Sequence, residues 1–366
     1  MIVNFSPEER AVIALHLAPG IGPKTLAAML DRFGSAENVL AAPSESLSQI
    51  PYLKKEVALA LRKVWANGDV DAEIALLEKH GVNLFLRGNP GYPAQLDPLP
   101  GMPTLLYVRG QLPSDNGQSI AIVGSRGCTS YGRRFAHRIA YDLAKAGFTI
   151  VSGLARGIDA EAHRGALEAG GRTIAVLANG LSRVYPPEHA ELAEAVAKSG
   201  AVVSEACMRM DPMPGMFPAR NRIISGLSRG VVVIEAGDKS GALITARHAG
   251  EQGREVFVLP GNVDSASSAG SLELLRKGGR LVRSSRDVLE DLQGLTPLFD
   301  PKPTSKPTPK LDGVASQVWE ALIEPLSIDM MCQRIGQPIS AISPVLMTLE
   351  MDGLLRKLPG NVYERM

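Results

Sequence analysis

From Ile120 to Leu259, short apolar runs take turns with segments of helical period, and this alternation limits the possible folds more than any other feature of the chain. The runs Ile120–Val123, Phe148–Ser152, Thr173–Leu177, Ala201–Ser204, Val231–Glu235 and Val256–Leu259 read as strands with no solvated face. Between them lie the helical segments Arg134–Ala146, Asp159–Ala169, Pro187–Lys198, Ala219–Leu227 and Ala242–Glu251, with a short helix near Leu272–Lys277 after the last strand. Gly147, Gly170, Gly200 and Gly253 stand where helices are expected to stop. Strands apolar on both sides and joined by helices predict an α/β fold with a doubly wound parallel sheet. Such sheets bind ligands beyond the carboxyl ends of their strands. The loops that open at Gly124, Gly153, Ala178, Glu205 and Glu235 are therefore the candidate functional edge.

The first of these loops is the richest. Ile120–Val123 breaks at Gly124 into Ser125-Arg126-Gly127, and a helix with Phe135, Ile139 and Leu143 on one face follows. A helix that begins there leaves N–H groups unpaired at the edge, with partial positive charge from the macrodipole, so an anion is expected. Arg126 adds a planar fork suited to phosphate. Gly127 to Gly132 has P-loop glycine spacing, but Arg133-Arg134 follow where Lys and Ser/Thr are required. The G-x-G-x-x-G spacing is absent too, and no acidic residue ends the second strand, so neither ATP nor NAD is expected.

A formal net charge of +1 excludes a globally basic protein, so a nucleic-acid surface has to come from local clustering. Fourteen arginines against three lysines between Ala121 and Pro260 supply one. The segment Phe217-Pro218-Ala219-Arg220-Asn221-Arg222 places an aromatic, two arginines and an amide at a helix start on the same edge as Arg126. That mixture suits a single strand with unstacked bases.

Other chemistry fails on context. Gly226-Leu227-Ser228-Arg229-Gly230 spells a nucleophile elbow, but a helix precedes it and a strand follows, the reverse of what the elbow needs. Asp159 and His163 lie one helical turn apart without a third ligand, and Asp159 stands where an N-cap is expected. Cys128, Cys207 and Cys332 are far apart, which implies neither disulfide nor zinc. The N-terminus lacks a signal pattern and no run reaches the length of a membrane span, so a cytoplasmic protein without a membrane partner is expected.

The flanks differ from the centre. Residues 1–75 read as a helical domain with a helix-hairpin-helix turn at Leu17–Thr25, where Gly20, Gly22 and Lys24 are candidate phosphate contacts; a weaker second copy falls near Gln49–Lys55. Two short strands, Val82–Leu86 and Leu105–Val108, flank a Pro/Gly-rich stretch and open the central domain, expected over 80–295. A Pro-rich linker over 296–312 leads to three helices and a hairpin over 313–366, the pattern of a winged helix. Its third helix, Ile339–Asp352, has no Lys or Arg and two acids near its end, so it is expected to bind protein rather than DNA.

Taken in order, Gly124-Ser125-Arg126, Ser152–Asp159, Phe217–Ser228, Ser240–Ala246 and Glu251-Gln252-Gly253-Arg254 resemble the DNA processing protein A (DprA/Smf) family of recombination mediators. The resemblance implies an extended Rossmann-like domain, with a sterile-alpha-motif-like (SAM-like) helical domain before it and a winged helix after it. It also implies a homodimer that binds single-stranded DNA without hydrolysing it and helps load the RecA recombinase during uptake of transforming DNA. The DNA-binding candidates are Gly124, Ser125, Arg126, Gly153, Arg156, Phe217, Arg220, Asn221 and Arg222; no catalytic residue, metal or cofactor is expected. The chain departs from the family at Ala178, at Leu272 and in Met213–Met216, which supplies no lysine before Phe217. Two other classes are weighed beside it. One is a nucleotide phosphoribohydrolase similar to the lysine-decarboxylase-like family, with Glu235 as its acid but without that family's Pro-Gly-Gly-x-Gly-Thr loop; the other is an adaptor that binds only protein.

Overall fold

The structure, a computed structural model, describes residues 5–47, 49, 50, 53, 57, 61, 64, 68–112, 118–293, 311–358 and 360–365. The chain divides into two compact units, 1–300 and 301–366.

In the first unit, helices α1 (Pro7–Leu17), α2 (Pro23–Phe33), α3 (Ala36–Ala41), α4 (Ser44–Leu47) and α5 (Asp69–His80) precede β1 (Val82–Leu86) and β2 (Leu105–Gly110). The expected alternation follows: β3 (Ser119–Val123), α6 (Ser130–Lys145), β4 (Thr149–Ser152), α7 (Ile158–Glu168), β5 (Thr173–Leu177), α8 (Ala190–Ser199) and β6 (Ala201–Ser204). It continues through α9 (Met216–Gly226), β7 (Gly230–Val233), α10 (Gly241–Glu251), β8 (Glu255–Val258), α11 (Ala269–Arg276), β9 (Arg280–Leu281) and α12 (Ser285–Gln293). The strands form one nine-stranded sheet in the order β1-β2-β6-β5-β4-β3-β7-β8-β9. β6 to β9 run parallel, and β2 joins antiparallel to β6.

Every residue of β3 is buried, because both faces of the sheet are covered. Ile120 and Ile122 meet Ile139, Leu143 and Ile158 of α6 and α7, whereas Ala121 and Val123 share a core with Ile223 and Ile224 of α9 and Ala246 of α10. Period-2 alternation thus feeds two helical layers, which is what makes the sheet doubly wound.

The helical segment does not stand apart from the sheet. Ile13, Leu26, Met29 and Leu77 pack in one core with Leu105, Tyr107, Leu177 and Val202, and α5 crosses the boundary expected at residue 75. Polar groups are buried at this junction. The Glu73 carboxylate accepts the Met208 N–H at 2.7 Å, a ring nitrogen of His16 donates to the Glu205 carbonyl at 2.7 Å, and the Cys207 thiol donates to the His16 carbonyl at 3.6 Å. Burial pushes the Cys207 thiol up to about 12, raises Glu73 and lowers His16. The helical hairpin occurs as expected, with Gly20, Gly22 and Lys24 exposed between α1 and α2. Its second copy near 49–55 lies mostly outside the described residues, as does the linker expected over 296–312.

The second unit contains α13 (Val314–Ala321), β10 (Leu326–Ser327), α14 (Ile328–Ile335), α15 (Ile339–Met351), β11 (Leu355–Leu358) and β12 (Val362–Arg365). The three strands pair in the order β10-β12-β11 beside three helices, a winged helix with its own core around Val318, Met331, Ile342, Leu346 and Tyr363.

Candidate nucleic-acid interface

The chain leaves β3 for β4 on one side and later returns to β7 on the other, so strand order reverses between β3 and β7. Such a reversal opens a crevice at the carboxyl edge, since successive loops diverge to opposite faces of the sheet. A cleft of about 530 Å³ lies there, with Ser125, Arg126, Phe217, Asn221, Lys239 and Thr245 among its lining residues.

The turn after β3 is held by its own backbone. Ser125 N–H donates to the Glu235 carbonyl at 2.7 Å, its hydroxyl accepts from Gly127 N–H at 3.2 Å, and its carbonyl accepts from Ile158 N–H at 3.3 Å. Gly157 (φ +76°) permits this close approach of the two loops; a Cβ there would collide with the Ser125 carbonyl. Gly124 likewise has no room for a side chain beside Ile158. Held in this way, the turn carries Arg126 outward. Its guanidinium is exposed, lies 5.0 Å from the centre of the Phe217 ring, and has no ion-pair partner among the described residues. Phe217 in turn meets Tyr185 at 5.8 Å, so a cation and two rings form a row along the lip. Arg156, exposed on the next loop, makes an ion pair with Glu188 at 2.5 Å. A bond so exposed holds Arg156 only weakly.

Two expectations change at the next layer down. The start of α6 is not open to an anion: the buried Glu235 carboxylate accepts both the Thr129 N–H (3.1 Å) and the Thr129 hydroxyl (2.9 Å), while Thr129 caps Gly132 N–H at 3.2 Å. The protein's own carboxylate occupies the place that the dipole favours for a negative charge. Cleft donors therefore come from the turn, from Lys239, and from the starts of α9 and α10.

The arginines of α9 also differ from expectation. Arg220 is buried in the cleft floor and donates to the Gly153 and Val176 carbonyls, with Asp159 at 3.9 Å. Burial pulls the Arg220 pKa down to about 10 against the pull of Asp159, and burial raises Asp159 against Arg220. Gly153 has no room for a Cβ because this guanidinium fills the space. Arg222 is not among the cleft-lining residues, and its Nη2 donates to both Glu205 carboxylate oxygens, at 2.6 and 2.7 Å. Asn221 lines the cleft and donates to the Gly241 carbonyl at 3.2 Å, joining α9 to α10.

Asp159 is the second residue of α7 rather than its N-cap, which is Gly157; its carboxylate accepts the Ala155 N–H at 3.3 Å. His163 bonds instead to the Thr173 hydroxyl at 2.7 Å, and burial lowers its pKa to about 3. No cluster with metal-ligand character occurs among the described residues. Tyr185 and Lys239 escaped the residue-level reading, although an aromatic before a double proline, and a lysine on an edge loop, were the signals available.

The model of the family described as DNA recombination-mediator protein A matches residues 83–293, more than half the chain and all of the edge just described. The chain belongs to the DNA recombination-mediator protein A family. A second family model, the DprA winged helix domain, matches 302–361. Protein Smf of Escherichia coli K12 is 41% identical over 298 residues, covering 80% of each chain, and Protein Smf of Synechocystis is 34% identical over 98% of this chain and 99% of its own. Among solved structures, DNA processing protein A of Streptococcus pneumoniae superposes with a TM-score of 0.67 at 33% identity, over 77% of this chain and 98% of that one. The Helicobacter pylori DNA processing protein A, whose structure is described for its single-stranded DNA binding mode, superposes with a TM-score of 0.52 at 31% identity, over 58% and 95%. Within this family member the Glu251–Arg254 motif is a packing element. Gln252 accepts from the Ser225 hydroxyl at 2.8 Å, and Arg254 donates to the Gly226 carbonyl at 3.3 Å, so both clasp the end of α9.

Proposed function

We propose that the chain binds single-stranded DNA along the switch-point cleft and acts as a recombination mediator in the cytoplasm, as a homodimer that helps load a RecA recombinase onto incoming strands. The observation that carries this reading is the Arg126–Phe217 pair. An unpaired guanidinium over a half-buried ring, with the Tyr185 ring beside it at a tilt of 57°, offers one phosphate contact and two neighbouring aromatic rings. Gly124, Ser125, Gly153, Arg156 and Asn221 shape or line the same edge, and Arg220 holds it rigid from below. Gly20, Gly22 and Lys24 lie on a separate exposed turn and would serve as an auxiliary phosphate contact. The related Helicobacter pylori protein, described for its single-stranded DNA binding, supports the choice of ligand.

The role is proposed as non-enzymatic. A phosphoribohydrolase would need the Glu235 carboxylate at the substrate, whereas that group is buried against Thr129. Release of ribose phosphate from nucleoside monophosphates would revive that reading.

The decisive experiment titrates labelled single- and double-stranded oligonucleotides at several salt concentrations, with wild type and Arg126→Ala. Single strands should bind more tightly, and the variant should lose affinity at an unchanged melting temperature. One lost phosphate contact should also flatten the salt slope by about 0.7. Equal binding of duplex, or an unaltered variant, defeats the proposal.

A further inference from the structure

The third helix of the winged unit is apolar on two sides. Ile342, Leu346 and Leu349 face inward and close the small core together with Val318, Met331 and Tyr363. On the outer side Met347 and Met351 stand four residues apart and so one above the other on α15, and Ile339 is exposed in its first turn. The core is complete without them: Met347 is 66% exposed and Met351 80%. Met330 of α14 and Ile323 after α13 are exposed as well. A surface helix ordinarily keeps its outer face polar, so a second apolar patch calls for a cover.

Charge decides among the possible covers. Among the unit's described cations, Arg334 pairs with Glu324 at 3.1 Å, Arg356 with Glu364 at 2.5 Å, Arg365 lies over the Trp319 ring at 4.6 Å, and the exposed Lys357, on β11 rather than α15, lies over the Tyr363 ring at 5.9 Å. Asp329, Glu350 and Asp352 have no ion-pair partner among the described residues. Glu350 and Asp352 also sit at the carboxyl end of α15, where the helix dipole adds negative potential. Nucleic acid and anionic lipid are repelled by such a face, and so is the identical face of a second copy. A cationic apolar surface is attracted.

We propose that the outer face of α15 docks a cationic amphipathic helix of a partner protein. The apolar side of that helix packs on Met347 and Met351, and its Lys and Arg residues reach Glu350 and Asp352. Methionine suits this role because its unbranched thioether adapts to different partner side chains. The binding mode is helix on groove, read through residues one turn apart.

The test uses the full chain and a labelled helical Lys/Leu peptide with one apolar face, followed by fluorescence anisotropy. Micromolar binding that weakens with salt is expected. The paired change Met347→Gln with Met351→Gln should weaken it by about tenfold or more, and Glu350→Gln by about threefold. A peptide with serine in place of leucine, and an acidic Glu/Leu peptide, should not bind. Glutamine keeps helix propensity at these exposed positions, so the variants should melt as wild type does. Should the double variant fold poorly, Glu350→Gln alone decides. Undiminished binding in the variants, equal binding of the acidic peptide, displacement of the peptide by duplex DNA, or a smaller oligomer on losing the two methionines would each overturn the proposal.

Discussion

The turn after β3 and the start of α9 both carry arginine to the same sheet edge, yet they use it in opposite ways. Arg126 projects from a loop fixed by backbone bonds and the Ser125 hydroxyl, so its guanidinium is not needed to hold the fold. Arg220 and Arg222 belong to a helix that has to be fastened to the sheet, and their guanidinium groups do the fastening, one to the carbonyls of Gly153 just beyond β4 and Val176 within β5, the other to Glu205. An arginine beside a ligand edge is thus a donor to the ligand only when the protein has not already claimed its fork.

The largest test of this contrast is Arg220→Ala. Removing the buried cation leaves Asp159 without its partner and should lower stability by about 3–5 kcal/mol in urea unfolding; a stable variant that had lost only DNA affinity would erase the distinction. Next comes Phe217→Ala, expected to lower single-strand affinity by about 1–3 kcal/mol with little change in melting. A large fall in melting temperature with normal affinity would place Phe217 with the fasteners.

The charge of Arg220 also reaches inward, where it adds to burial in holding His163 neutral. The folded pKa of His163 lies below its unfolded value, so this group's contribution to stability is present above about pH 6.5 and is lost as pH falls toward 3. Relative to His163→Gln, wild type should lose about 1.4 kcal/mol per pH unit below pH 6; parallel curves would show that the histidine is not held neutral. The smallest effect belongs to Arg222→Ala, which should change single-strand affinity by less than about 0.5 kcal/mol and leave the salt slope intact. A slope change as large as that of Arg126→Ala would return Arg222 to the ligand.

The central fold was legible because parallel strands buried on two faces are written as unbroken apolar runs; Thr173–Leu177 and Ala201–Ser204 match residue for residue. β9 was not legible, since two exposed residues, Arg280 and Leu281, carry no period. The candidate edge was legible as a set of loops, and those that hold Arg126, Phe217 and Lys239 line one cleft. What could not be read was which charges cancel. Asp159 and Glu205 lie 61 and 17 positions from the arginines they meet, and only the folded chain brings them together. The same holds for Glu235, whose commitment to Thr129 spans 106 positions and closes a helix start that looked open.

The junction between the leading helices and the sheet is sealed by polar groups as well as apolar ones. Glu73 and His16 are matched to the backbone at Glu205 and Met208, and the Cys207 thiol is matched to His16 in return. Tyr107 is sealed beneath the same helices. Removing these helices would uncover Tyr107 and leave the Met208 N–H without its carboxylate, so a shortened chain is a test of the sheet and not only of the helices: its β2 and the stretch after β6 would face solvent with groups that are shaped for burial.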